Sequence, residues 1–392
     1  MTIDGNPFVR YRRRLGSYQR ALDAGMDDTG FVALVERLDD AVADVDGHGF
    51  AVTPTTPQPE LADAAGLDVE LWVKDETANV SGSHKARHLF GLMLHLAVDE
   101  GAGEPSHGDL AISSCGNAAL AAAVVARSVG QPLQVFIPTW AEGHVVDRLD
   151  QLGAALTRCE RRDGESGDPC FLRYREAVAA GARPFTVQGT EAPQTLDGGR
   201  TIGWELAEQL AEAQGGKARL DAVYVQVGGG ALAACLAAGL DDGVEEGWLE
   251  SRPRLHAVQS QAVHPLAVAW EHLTGAPGPL GDPTRVPALV AAAASAPDDY
   301  MSPWPDEPES VASGIIDDVT YDWQPVVEAM MVSGGWPVLA DEDTLQLAHR
   351  LAHEATAIDV CATGSAGFAG VLAEPPGAAA RTAVLFTGHT RA

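Results

Sequence analysis

The order of apolar segments predicts an α/β protein of the doubly wound class, with mostly parallel sheets and helices on both faces. Three observations carry that prediction. From about residue 91, short buried strands alternate with amphipathic or small-residue helices. Each strand–helix unit takes roughly 20–25 residues, enough for the crossover that parallel strands need. Glycine- or serine-rich loops directly follow several of the strands, where open α/β sheets place their ligands.

In chain order, residues 1–50 read as an N-terminal extension. It carries a basic cluster (Arg10, Arg12–Arg14) and an amphipathic helix through Phe31, Leu34, Val35, Leu38 and Val42. Segment 53–59 (TPTTPQP) reads as a proline-stiffened loop. Leu71-Trp72-Val73 is a short strand leading into Lys74–Arg87 (KDETANVSGSHKAR). The alternation then runs through helix 89–98, strand 110–113, helix 118–129, strand 133–138 and helix 145–152. Strand 155–159, helix 171–180 and strand 184–187 follow, then helix 202–213, strand 222–227, helix 232–240 and strand 254–258. Residues 271–310, rich in proline, alanine and glycine without periodicity, read as a long excursion. Helices 323–333 and 342–356 and strand 382–386 complete the chain, which closes on Thr387-Gly388-His389.

Composition narrows the class of function. A length of 392 residues suits one large domain or two of medium size. A formal charge of −29 opposes binding to nucleic acid, itself a polyanion. The apolar runs are too short to span a bilayer, and the charged start has no apolar stretch after it, so neither a membrane segment nor a signal peptide is expected. The five cysteines (Cys115, Cys159, Cys170, Cys235, Cys361) show no CxxC pair and no Cys/His zinc spacing. Reduced thiols, a cytoplasmic location and no metal are the expectation. His84, His88 and His95 share a predicted helix without an HExxH glutamate, and read as ordinary positions.

Among 26 basic residues only Lys74, Lys85 and Lys217 are lysines. Arginine serves where a charge suffices, and lysine is kept where an amine that can lose its proton is needed. Lys85 follows the turn Ser81-Gly82-Ser83 and opens an apolar helical run; a helix start there keeps the amine near a positive dipole end. Three post-strand loops add binding chemistry. Ser113-Ser114-Cys115-Gly116-Asn117 would present helix-start amides to a carboxylate or phosphate. Gly228-Gly229-Gly230-Ala231 lets several amides converge on a phosphate, yet is neither GxGxxG nor a Walker loop, which disfavours a dinucleotide or ATP. The stretch 361–370 (CATGSAGFAG) offers the hydroxyls of Thr363 and Ser365, or else simply a close-packing helix.

In these four stretches the chain resembles the fold-type II pyridoxal-phosphate enzymes (the tryptophan synthase β superfamily). That family includes threonine synthase, serine/threonine dehydratase and cysteine synthase. Its [ST]GSFK[DA]RG segment is matched by Ser81–Arg87, its S-x-G-N loop by Ser114–Asn117, and its glycine phosphate loop by Gly228–Leu232. The resemblance covers roughly residues 50–392. It implies two doubly wound α/β domains with pyridoxal 5′-phosphate in the cleft between them. Residues 51–90 and 190–392 would form the large cofactor-binding domain, 91–189 a smaller mobile domain, and 1–50 an extension packed on the large one. By resemblance Lys85 is the Schiff-base lysine and catalytic base, and Asn117 contacts the cofactor 3′-oxygen. Gly228, Gly229, Gly230 and Ala231 hold the phosphate, and Thr363, with Ser365 in reserve, meets the ring nitrogen. Ser83, Ser114, Cys115, Gly116 and Asn117 would bind an amino-acid substrate, in a homodimer.

Asp197–Ile202, Ser313–Ile315, Val332–Gly335 and Phe386–His389 resemble threonine synthase segments in particular. They imply elimination or replacement on a phosphohomoserine-type substrate with phosphate release, Arg87 and Arg200 being candidates for its phosphate. His84 in place of phenylalanine, Ala231 in place of glycine, Thr390 after His389 and the dehydratase-like Ala86 depart from that pattern. A serine/threonine-type ammonia-lyase and a divergent β-replacement enzyme are the alternatives, and a non-catalytic regulatory module is the reading from outside enzymology.

Overall fold

The computed structural model describes residues 5–104, 108–165, 167–305 and 309–391. Residues 1–4 of the expected extension, 105–107, 166, and 306–308 of the expected excursion lie outside these. The chain opens with helices α1 (Pro7–Arg10), α2 (Gly16–Asp23) and α3 (Asp28–Asp46). Strand β1 (Thr55–Pro57), helix α4 (Pro59–Ala64), strand β2 (Val69–Asp75) and helix α5 (Lys85–Gly101) follow. The alternation continues as β3 (Leu110–Ser113), α6 (Asn117–Ser128), β4 (Leu133–Pro138), α7 (Gly143–Gln151), β5 (Ala155–Cys159), α8 (Pro169–Ala179) and β6 (Arg183–Pro184). Then come α9 (Thr195–Gln214), β7 (Ala222–Gln226), α10 (Ala231–Glu245), β8 (Arg254–Ser260), α11 (Pro265–Thr274) and α12 (Val286–Ser295). Last are α13 (Trp323–Ser333), β9 (Val338–Ala340), α14 (Glu342–Ala355), α15 (Ala362–Ala373) and β10 (Ala380–Phe386).

These elements form two units. One gathers the described residues up to Val52 with Asn79–Thr201, and the other Thr53–Ala78 with Ile202–Arg391. In the first, a parallel sheet of order β5-β4-β3-β6 packs α8 against one face through Ala111, Phe136, Cys159, Cys170 and Tyr174. In the second, the order is β1-β2-β10-β7-β8-β9, antiparallel only at the β1 edge. Side chains of this sheet alternate between two cores. Trp72, Val223, Val225, Ala383 and Leu385 meet α9, α10, α11 and α13, while Leu71, Val73, Tyr224, Val384 and Phe386 meet α4, α14 and α15. A sheet buried on both faces is the condition under which parallel strands occur, and it explains their near-continuous apolar sequences.

The structure corrects several expectations. Residues 5–50 group with the first unit, not with the larger one: Phe8 and Phe50 pack on Phe90 of α5 at ring-centroid distances of 4.7 and 4.6 Å, and Arg20 pairs with Asp99 at 2.9 Å. Residues 79–90, with Lys85, and 190–201 also fall in the first unit. Their boundary follows packing, not the order of apolar runs: α9 is continuous from Thr195, and the division lies within it. The 53–59 loop contains β1, paired with β2, and the 271–310 excursion carries the end of α11 and the whole of α12.

Candidate active site

In the first unit, Lys85 is the first residue of α5. The turn before it is tight. Ser81 (φ 55°) and Gly82 (φ 67°) are both left-handed, and the Ser81 N–H is held by Asp46 Oδ2 at 2.7 Å. The strain at Ser81 is thus borne by the C-terminal end of α3, in the extension. Ser83 is wholly buried, and its Oγ makes no hydrogen bond among the described residues. A buried hydroxyl two residues before the half-buried lysine is costly unless a ligand group completes it.

One turn beyond Lys85, His88 is fully buried, its Nδ1 3.1 Å from the Thr195 carbonyl and its ring edge-on to His84 at 5.9 Å. Burial, and then the Lys85 charge, hold its imidazole down to about 3, so it stays neutral beside the lysine. Arg87 is also fully buried and donates from Nη1 to Thr201 Oγ1 at 3.0 Å. Gly198 lets α9 approach α5: a Cβ there would lie 2.0 Å from the Arg87 carbonyl oxygen. The loop after β3 ends at Gly116, the N-cap of α6, and Asn117 is the first helical residue. Ser114, Cys115, Gly116 and Asn117 are all partly exposed, and α6 packs beside α5. Two neighbouring helices therefore begin, one with the amine and one with the amide side chain.

In the second unit, Gly228–Gly230 follow β7, Gly230 (φ 97°) caps α10, and Ala231 is its first residue. Among the described residues the amides of Gly228, Gly229 and Gly230 donate to no backbone carbonyl. A Cβ on Gly228 would lie 2.6 Å from Asp317 Oδ2 and 3.0 Å from Ile315 Cα, and one on Gly230 3.1 Å from Thr320 Cγ2. Side chains would fill this cradle; glycine leaves its amides for an anion at a helix start. Thr363, the second residue of α15, is half-buried, and its Oγ1 accepts the Gly314 N–H at 3.0 Å. Ser365 is fully buried and donates to the Ala362 carbonyl at 3.2 Å, so the reserve hydroxyl is turned back on its own helix. The small residues of α15 also serve packing: a Cβ on Gly370 would meet Val258 Cγ2 at 2.3 Å.

Sequence reasoning missed the residues that position these groups. Gln226, the polar end of an otherwise apolar strand, donates from Nε2 to Thr363 O (3.1 Å), Gly364 O (2.8 Å) and Thr387 Oγ1 (2.7 Å), fixing the start of α15. A lone amide closing an apolar strand before a glycine loop was the available signal. Asp46 gave none, since its partner lies 35 residues away.

Taken unit by unit, the residues suit the parts of a phosphorylated aldehyde cofactor: the first unit offers an amine and an unsatisfied hydroxyl, and the second a glycine amide cradle and an accessible hydroxyl. A doubly wound α/β chain so equipped falls in the class of proteins built to hold a phosphorylated cofactor. The family model "Pyridoxal-phosphate dependent enzyme" matches residues 48–388, and the chain belongs to that family, whose cofactor is pyridoxal 5′-phosphate. It is 30% identical over 241 residues to a mouse (Mus musculus) "Serine dehydratase-like" protein, covering 62% of this chain and 65% of that one. It is 31% identical over 176 residues to an "L-serine dehydratase" of Saccharomyces cerevisiae (strain YJM789), covering 44% and 51%. The chain thus spans between half and two thirds of these relatives' lengths. Processed threonine deaminase isoform 2 of Solanum lycopersicum shares the fold at a TM-score of 0.65 and 16% identity, covering 93% of this chain and 91% of that one. No helix among the described residues is long and apolar enough to cross a membrane.

Proposed function

We propose that this protein is a pyridoxal-phosphate-dependent ammonia-lyase acting on a small hydroxy amino acid of the serine/threonine type, releasing a 2-oxo acid and ammonia. The observation that carries the reading is Lys85 at the first position of α5, preceded by the unsatisfied Ser83 hydroxyl, in a chain whose curated relatives include proteins named L-serine dehydratase and serine dehydratase-like. Gly228–Ala231 would hold the cofactor phosphate, Asn117 its ring oxygen and Thr363 its ring nitrogen. The bound cofactor supplies an electron sink that acidifies the substrate Cα–H. Lys85 Nζ removes that proton as general base. The Ser114 N–H is bonded to the Phe136 carbonyl at 3.2 Å, so the Ser114 side chain, the Cys115–Asn117 part of the loop and the Ser83 hydroxyl would orient the substrate carboxylate. Loss of the Cβ hydroxyl as water leaves an enamine, and its hydrolysis, consuming one water, gives the oxo acid and ammonia. A hydroxyl partner at the ring nitrogen, in place of a carboxylate, favours expulsion of a leaving group over transamination.

The phosphohomoserine reading is supported less well. Arg87, expected to meet a substrate phosphate, is buried on Thr201, and the Asp197–Thr201 segment has structural work of its own. Product analysis separates the readings. Purified protein with the cofactor is expected to form 2-oxo acid and ammonia from L-serine or L-threonine, and Lys85→Ala to lose about 10²–10⁴-fold of that activity. Inorganic phosphate released from phosphohomoserine, without oxo acid from either hydroxy amino acid, would restore the threonine-synthase reading. A cytoplasmic homodimer remains the expected form, which sedimentation at micromolar concentration checks.

A further inference from the structure

The loop that opens α10 is walled by the segment from Ala312 to Asp322. Asp322 N–H donates to the Gly229 carbonyl at 2.8 Å, and Thr320 and Asp322 flank Gly230. Within this strap, one carboxylate oxygen, Asp317 Oδ2, is the nearest atom to a Cβ built on Gly228 (2.6 Å), and it lies as near to one on Gly229 as Tyr321 Cδ2 does (3.4 Å). A carboxylate is favoured at a helix N-terminus, where the dipole is positive and amides lack acceptors. The same place suits a phosphate, which carries more charge and more acceptor oxygens. The two anions cannot both stand there without repulsion in a partly buried setting.

We propose that Asp317 is a built-in competitor for the anion cradle of Gly228–Ala231: its carboxylate occupies the rim that a cofactor phosphate must share, and lowers the affinity for that phosphate. The proposal rests on the reading of this loop as the phosphate cradle. The strap would carry the effect further, because its Gly314 N–H is bonded to Thr363 Oγ1 at 3.0 Å and Ile315 Cα stands against Gly228. A phosphate that pushes Asp317 away therefore moves the segment that holds the Thr363 hydroxyl. Cofactor retention and hydroxyl placement become one event, and the enzyme exchanges its cofactor more readily than the glycine loop alone would allow.

Equilibrium dialysis of the cofactor against apoprotein tests this without reference to turnover. Asp317→Asn is expected to lower the pyridoxal-phosphate dissociation constant by about tenfold, and to enlarge the rise in melting temperature caused by inorganic phosphate. Asp318→Asn, which removes the same charge one residue away from the glycines, is expected to leave both nearly unchanged. If the amide variant does not fold, Asp317→Ser serves in its place. An unchanged or weaker affinity in the Asp317 variant, with wild type binding normally, overturns the competitor alone. Equal gains at Asp317 and Asp318 also overturn it, since net charge would then explain the effect. Failure of wild type to bind the cofactor at all overturns the cradle reading and this proposal together.

Discussion

Lys74 shows how one buried charge can be tolerated. Its Nζ is wholly buried and donates to the Thr53 carbonyl at 2.6 Å and to Glu205 Oε2 at 2.5 Å. Glu205 also accepts the Thr53 N–H at 3.0 Å, and Thr53 Oγ1 lies 2.5 Å from Glu76 Oε1, both carboxylates being fully buried. The scarcity of lysine marked Lys74 as a place needing an amine, and the need is structural: a compact ammonium that donates to a carbonyl and a carboxylate at once. Removing one partner strands the other charge in the interior. Lys74→Met is expected to lower unfolding stability in urea by about 3–5 kcal/mol, and adding Glu205→Leu to recover most of it. A double variant no more stable than the single one would mean that the pair is not the cause.

At the scale of elements, Asp197 joins three helices. Its carboxylate accepts the Gly16 and Ser17 N–H groups at 2.9 and 3.1 Å, satisfying the first amides of α2, and meets His95 Nε2 of α5 at 3.0 Å from the first turn of α9. Beside it, Gly198 permits contact between α9 and α5 that a Cβ would block. The Asp-Gly-Gly sequence that resembles a threonine synthase motif thus does a packing and capping job. Asp197→Ala is expected to cost about 1–3 kcal/mol through the orphaned amides, and to raise hydrogen exchange across residues 16–23 before the rest of the unit. Uniform exchange throughout would show that α2 is held by other contacts.

For the molecule as a whole, two buried histidines make the fold sensitive to acid. Burial pushes His256, stacked on Tyr224 at 4.5 Å and edge-on to Trp336 at 4.4 Å, down to about 4. His88 lies at about 3. Both are below the ordinary imidazole value of 6.5, so the unfolded chain takes up protons first as pH falls. The stability they contribute is full above about 6.5 and drains away toward pH 4 and then 3. The melting temperature is expected to decline over that window, and His256→Asn to flatten the decline at its upper end. An identical pH profile in the variant would assign the acid lability to other groups.

What the sequence determined by itself was local. Strands β3, β4 and β5 lie where their apolar runs end, Lys85 opens its helix after a serine–glycine turn, and the glycine loop caps α10, because burial pattern and turn chemistry are written in neighbouring residues. What only the tertiary structure decided was long-range. The first turn of α9, with two glycines, is helical because α5 and α2 hold it. Strand β1 exists because Thr55–Pro57 finds β2, and α12 because Ala293 joins the core of the second unit. The extension's allegiance, the role of Lys74 and the carboxylate beside the glycine loop follow from contacts between residues tens to hundreds of positions apart. A one-dimensional pattern records which residues are apolar or charged, while the partner that satisfies each buried polar group is chosen only when the chain closes on itself.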